Sequence, residues 1–240
     1  MTTNNFVKAF WYMSNNFGDN LNYFLIKAIS GKEPIYTENR KEKHFIVCGS
    51  IAGEANQFST VWGAGFANYG ESVGIHIKIA AVRGKLSAGC LNRESENIIV
   101  GDPALLMPMF YKPEIEKKYE FGIVPHWKDI EKLLWMDLPN VKIISPLQNV
   151  QDVVNDIVIC ENILSSSLHG LILADAYGVP NKWLDMGTDI GGDGFKFKDY
   201  YSTTKKPYEE PISDINFDDC KVSKYDFDLD ELLKSCPFKP

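Results

Sequence analysis

The sequence predicts an α/β chain of two parallel-sheet lobes, and three observations carry that reading. Short apolar strand signals alternate with helical periodicity from about residue 7 to residue 185. The strands repeatedly end in glycine and polar residues. The alternation breaks once, at about Pro108 to Lys118, and then resumes. Such alternation implies βα units and parallel strands whose outgoing loops gather on one edge of each sheet. At 240 residues the chain can be one large domain or two smaller lobes, with length for a sizeable core.

Val7 to Met13, short and rich in apolar and aromatic residues, reads as the first strand and runs into the turn Ser14-Asn15-Asn16-Phe17-Gly18. A helix follows from Asp19 or Asn20 to about Ser30, because Leu21, Phe24, Leu25 and Ala28 fall at helical spacing and Gly31 is a stop signal. His44 to Cys48 is a second strand, Thr60 to Trp62 a third, Ile75 to Val82 a fourth and Asn97 to Val100 a fifth. Beyond the break, Tyr119 to Val124 is a strand, Lys128 to Met136 a helix and Val141 to Ile144 a strand. Val150 to Ile157 is a short helix, Ile159 to Leu164 a strand and Asn181 to Asp185 the last strand. Two Rossmann-like lobes with a cleft between them are expected, over 1–112 and 113–202. The polar, acidic tail over 203–240, with an amphipathic helix from Asp228 to Cys236, is expected to pack back on the body.

Net charge is −7, from 25 basic and 32 acidic side chains with no basic stripe, which argues against nucleic acid as a partner. Five widely spaced cysteines without a CxxC pair fit a reducing compartment and argue against a zinc site. The amino terminus lacks the plan of an export signal and no apolar stretch reaches membrane-spanning length. The expectation is a cytoplasmic protein without an integral membrane segment, peripheral association with the inner membrane face remaining open.

The most informative run is Ser165-Ser166-Ser167-Leu168-His169-Gly170, placed where a strand gives way to a helix. Unpaired N–H groups and the positive end of the helix dipole converge there, so a phosphate or carboxylate can be held. The bland alternative is that the serines only cap and His169 only packs. Only three residues are arginine. Arg40 and Arg93 fall in polar stretches, whereas Arg83 directly follows an apolar strand, at the sheet edge where open α/β folds bind ligands. A salt bridge between lobes is the alternative for Arg83. Asp185, Asp189 and Asp193 lie at four-residue spacing, which does not match the alternating ligands of an EF-hand loop. No metal is expected, and the glycines of that segment suggest a loop that closes over the cleft.

Several blocks in order resemble the polysaccharide pyruvyl transferase family: Asn16-Phe17-Gly18-Asp19-Asn20-Leu21-Asn22, Val61-Trp62-Gly63-Ala64-Gly65-Phe66, Val82-Arg83-Gly84-Lys85, Gly101-Asp102-Pro103-Ala104, Gly122-Ile123-Val124-Pro125-His126, Ser166-Ser167-Leu168-His169-Gly170 and Gly194-Phe195-Lys196-Phe197. The resemblance covers residues 7–202. It implies a glycosyltransferase-B-like pair of lobes and a reaction in which phosphoenolpyruvate donates its three-carbon unit to two hydroxyls of a sugar, forming a pyruvate ketal on a surface polysaccharide or its precursor. A glycan or lipid-linked acceptor, often galactose or a related hexose, is implied as partner, with no cofactor beyond the donor.

Ketal formation needs a proton delivered to the donor's methylene carbon, attack by a hydroxyl and loss of phosphate. His169 is the candidate acid, or alternatively a stabiliser of the departing phosphate. Arg83 is the expected partner of the donor carboxylate, because a guanidinium matches its planar fork. Some members carry arginine just before the Leu-His pair, whereas Ser167 stands there in this chain. Donor-binding candidates are Ser166, Ser167, Leu168, Lys85, Lys196 and His126. Asp19 is the candidate base for an acceptor hydroxyl, with capping an equal alternative, and Asn16 and Asn20 are the acceptor-binding candidates. A sugar-nucleotide glycosyltransferase and a non-catalytic glycan-binding or assembly protein are the rival readings.

Overall fold

The computed structural model describes residues 5–93, 97–114, 116–134, 136, 138–205 and 210–239. The protein is α/β with two all-parallel sheets. The first carries β1 (Phe6–Ala9), β2 (Glu33–Tyr36), β3 (His44–Ile46), β4 (Ser59–Trp62) and β5 (Lys78–Ala81), in the order β2-β1-β3-β4-β5. The second carries β6 (Tyr119–Val124), β7 (Val141–Ile143), β8 (Cys160–Ser165) and β9 (Asn181–Trp183), in the order β7-β6-β8-β9.

Helices fill the connections as α1 (Phe17–Ser30), α2 (Lys85–Cys90), α3 (Met107–Phe110), α4 (Ile130–Leu134), α5 (Val150–Val158), α6 (Leu168–Ala176), α7 (Phe195–Tyr201) and α8 (Leu229–Lys234). Helix α1 starts where Asn16 accepts the Gly18 N–H and stops at Gly31, whose φ of 67° is the left-handed cap that glycine supplies without strain. Helix α6 is apolar all round and wholly buried up to Asp175, as a helix between two sheets must be. One apolar cluster runs through both sheets, from Leu21 and Trp62 to Val154 and Leu173, and a smaller one around Ile123 and Leu164 covers the far face of the second sheet.

Several expectations required correction. The first strand ends at Ala9 rather than Met13, because β3 ends one residue past the Ala9–Phe45 pair and leaves Phe10 onward without a ladder partner. Strand β2 was not expected; it contains Pro34, and as an edge strand it tolerates a missing N–H. The fifth strand reduces to a single bridge between Val82 and Val100. Of the expected helix from Lys128 to Met136, Ile130 to Leu134 is helical, and Trp135 lies outside the described residues. Helices α2 and α7 were not expected as helices. Arg93 is largely buried, with Nη2 donating to Gly74 O at 3.1 Å and Ile77 O at 2.8 Å.

The tail touches both sheets. Ile212 and Lys221 bridge to Leu184 and Asn181 beside β9, while Phe238 meets Trp62 and Phe45 edge-on, at 5.4 and 5.2 Å between ring centroids. Trp62 Nε1 donates to Leu232 O of α8 at 3.1 Å, satisfying the buried indole.

Candidate functional site

Each sheet reverses its strand order once, between β1 and β3 in the first and between β6 and β8 in the second. Open α/β sheets bind ligands at such switch points. Here both open onto one cleft of about 260 Å³. Loop β1–α1 contributes Tyr12, Asn16, Gly18 and Asp19, and the segment after β3 contributes Gly49, Ser50 and Ile51. His126 and Trp127 follow β6; Ser167, Leu168 and His169 follow β8; and Lys196 enters from α7.

The Asn16 to Asn22 segment is an assembly of fixed parts. Asn16 caps α1, Ser14 Oγ donates to Asp19 Oδ2 at 2.5 Å, and the fully buried Asn22 exchanges two hydrogen bonds with the Cys48 backbone at 2.9 and 3.0 Å. That last pair imitates a strand partner and locks the loop after β1 to the loop after β3. Burial pushes the Asp19 carboxyl above its ordinary value, against the hydrogen bond from Ser14 and the charges of His169 and Lys196. Gly18 has a close-approach role, because a Cβ there would lie 2.8 Å from His169 Nδ1.

His169 therefore presents its Nδ1 edge toward Gly18. Its Nε2 edge lies 3.1 Å from Cys48 Sγ and 3.6 Å from Asp102 Oδ2. Asp102 is wholly buried, and its Oδ2 has no hydrogen-bond donor among the described residues. Burial alone would raise its carboxyl, but His169, the Ala104 N–H and the Arg83 charge together hold it below the usual range. The buried carboxylate thus stands behind the Nε2 edge of His169. The Cys48 thiol is pushed well above its ordinary value, first by burial and then by the Asp102 charge, so it stays a thiol. One ligand atom from each of Cys48, Asp102 and His169 lies within 4.8 Å of the others, the only metal-competent grouping among the described residues.

Beside this trio the cleft holds one lysine, Lys196, and one carboxylate, Asp19. Burial, with Arg83 and Lys128, pushes Lys196 down to about 8, and Lys196 makes no ion pair among the described residues. The same burial and the Lys196 charge push His126 down to about 4, leaving a neutral imidazole tilted against Trp127 at 5.7 Å between centroids. Ser167 occupies the cap position of α6 without spending its hydroxyl on the cap.

Residues 10–185 match a family model described as polysaccharide pyruvyl transferase. The chain belongs to that family. It is 30% identical to the succinoglycan biosynthesis protein ExoV of Rhizobium meliloti, over 86% of this chain and 69% of that protein. It is 29% identical to an uncharacterized protein of Acanthamoeba polyphaga mimivirus, over 78% of this chain and 70% of the relative. A functionally uncharacterized Klebsiella pneumoniae protein superposes at a TM-score of 0.48 with 12% identity, covering 88% of this chain and 94% of that one.

Not every expected site residue of this polysaccharide pyruvyl transferase family member faces the cleft. Asp19, Asn16, Ser167, Leu168, His169, Lys196 and His126 line it. Asn20 does not; it sits half-buried on α1, next along from Asp19. Ser166 turns away and donates to the buried Asp129 at 2.7 Å, while its Oγ accepts the His126 N–H at 2.8 Å, which fixes the turn carrying His126. Lys85 is exposed and pairs with Asp226 at 2.9 Å, away from the cleft. Arg83 is fully buried: Nε donates to Asp199 at 2.8 Å, Nη1 to Ser50 Oγ at 2.6 Å and Nη2 to Phe66 O at 2.8 Å. Its guanidinium thus reaches the cleft only through Ser50. The Val61-to-Phe66 block serves this packing, since a Cβ on Gly65 would sit 2.5 Å from the guanidinium and one on Gly63 would sit 2.2 Å from the Pro103 ring.

Asp102, Cys48, Asn22 and Ser50 were not singled out from the sequence. Asp102 alone carried a signal, as the only ionisable residue in the Gly101-Asp102-Pro103-Ala104 block. The loop over 185–194 is held by Lys132 Nζ to Met186 O and Thr188 Oγ1, and by Lys128 Nζ to Asp189 O.

Proposed function

We propose that the protein transfers the pyruvyl group of phosphoenolpyruvate to two hydroxyls of a sugar in a surface polysaccharide or its precursor, in the cleft of a glycosyltransferase-B-like pair of lobes. The observation that carries this reading is one cleft holding an Asp102-backed imidazole, a half-buried ammonium without an ion pair among the described residues and a carboxylate whose proton affinity is raised.

In this reading Lys196, the Ser167 hydroxyl and the N-terminal N–H groups of α6 hold the phosphate. His169, protonated and anchored through Nε2, delivers the Nδ1 proton to the methylene carbon, and positive charge develops at the carbon bearing phosphate. A sugar hydroxyl attacks that carbon and yields its proton to Asp19. The C–O bond to phosphate then breaks, phosphate leaves toward Lys196, and the second hydroxyl closes the ketal as its proton is taken up by the departing phosphate. Arg83 acts as a positioning residue: its Nη1 occupies a lone pair of Ser50, turning that hydroxyl's own proton toward the donor carboxylate. His126 and Trp127 border the donor, and Asn16, with Asn20 behind it, the acceptor side. A cytoplasmic site of action fits five widely spaced cysteines without a CxxC pair.

The test incubates the protein with phosphoenolpyruvate and a panel of galactosides and other hexosides, reading phosphate release and mass gain on the sugar. His169→Ala and Asp102→Asn should each lower turnover by on the order of 100- to 10,000-fold. No sugar-dependent phosphate release across the panel would overturn the assignment.

A further inference from the structure

The cleft does not end at Tyr12. Past Tyr12, Ser50 and Ile51 it opens into a second trough of about 480 Å³ on the first lobe, continuing over Glu54, Asn68 and Glu71 to Ser72. The two compartments differ in charge. The cleft sets Lys196 and His169 against Asp19, whereas the trough is lined by two carboxylates, Glu54 and Glu71, and the Arg40 that pairs with Glu54 lies outside the lining.

Those carboxylates are held still. Glu71 accepts the Ala67 N–H at 3.1 Å and the Asn68 amide at 2.5 Å, and sits over Gly53, where a Cβ would come within 3.3 Å of it. Glu54 is paired with Arg40 at 2.5 Å and accepts the Tyr12 hydroxyl at 3.2 Å. Tyr12 is thereby fixed at the junction, edge-on to Phe10 at 6.0 Å between centroids, with half of its surface exposed. A rigid aromatic face flanked by preset hydrogen-bond acceptors suits a ligand with apolar C–H faces and many O–H donors and no negative charge.

We infer that this trough is a second sugar subsite, in which the neutral sugar next to the one being modified lies on Tyr12 and donates hydroxyl hydrogens to Glu54 and Glu71. The inference rests on the proposed pyruvyl transfer for its account of which sugar reacts, but not for the binding itself. The protein would therefore act on a glycan chain in preference to a free monosaccharide, and acidic sugars would be excluded from the second position by the paired carboxylates.

Isothermal titration without donor tests the binding, using neutral galactose- and glucose-based trisaccharides against the parent monosaccharides. The best trisaccharide should bind at least about tenfold tighter than its monosaccharide, a difference of ~1.4 kcal/mol. Tyr12→Ala should erase most of that difference, and Tyr12→Phe should keep it. Ser72→Trp, which fills the trough from an exposed position and spares the fold, should erase it while leaving inorganic phosphate binding unchanged. Equal affinity for trisaccharides and monosaccharides, absence of sugar binding, or an unaffected Ser72→Trp variant would each overturn the subsite. If trough variants weaken trisaccharide binding but wild type adds no mass to it from phosphoenolpyruvate, the transfer reading fails and the subsite stands. If ketal forms with the same acceptor KM in wild type and Ser72→Trp, the subsite fails and the transfer reading stands.

Discussion

Gly18→Ala isolates the placement of one imidazole. The added Cβ would lie 2.8 Å from His169 Nδ1, and ordinary contact begins at 3.4 Å, so ring or helix must give by about 0.6 Å. The ring cannot simply retreat, because its opposite edge already stands 3.1 Å from Cys48 Sγ. Stability should fall by roughly 1–3 kcal/mol at most from the tight contact, offset in part by alanine's smaller backbone entropy loss in the first turn of α1. Turnover should move far more, since a reacting group misplaced by about 1 Å loses on the order of 100-fold. The assay is donor-dependent phosphate release with acceptor, beside thermal unfolding. Adding Cys48→Ala should restore part of the loss, as it vacates the space behind the ring. Gly18→Ala with turnover within about twofold of wild type would refute the assignment of Nδ1 to the reacting edge.

Two further outcomes follow from the buried charges. Arg83→Ala should destabilise the fold by about 3–5 kcal/mol in urea titration, because it strands Asp199 in the interior, and Arg83→Lys should not restore it, since one ammonium cannot serve three separated acceptors. Lys196, pushed down to about 8, is charged below that pH and neutral above it, so donor affinity should fall as pH rises through 8 and donor binding should take up a proton there. Folding stability runs the opposite way: between about 8 and the ordinary 10.5 the native chain has shed a proton that the unfolded chain keeps, so unfolding free energy should rise across that window, and Lys196→Met should abolish both trends.

Much of this was legible in the sequence because its signals are local. Alternating periodicity and glycine-terminated strands are properties of neighbouring residues, and they located most strands of the two parallel sheets, although α1 starts at Phe17 with Asn16 as its cap rather than at Asp19 or Asn20. What escaped depends on contacts between residues 26 or more apart in the chain. Asp102 and Cys48 meet His169 only after two sheets have packed, and no spacing rule joins positions 48, 102 and 169. Arg83 illustrates the converse. Scarcity and a place at the end of a strand suggested ligand contact, but Asp199, distant in sequence, claims the guanidinium.

Helix α7 is fastened to both sheets: Phe197 stacks on Trp183 of β9 at 4.1 Å between centroids and the Tyr200 hydroxyl donates to Asp175 of α6 at 2.7 Å, while the other contacts reach the first sheet's side. Asp199 takes Arg83 Nε, the Ser87 N–H and the Ser87 hydroxyl, and Ser202 accepts the Lys85 N–H. Helix α7 therefore clamps the two sheets to each other: a rotation of one against the other would have to open either the Arg83–Asp199 pair or the Trp183–Phe197 stack, and the Lys196 ammonium owes its place in the cleft to both.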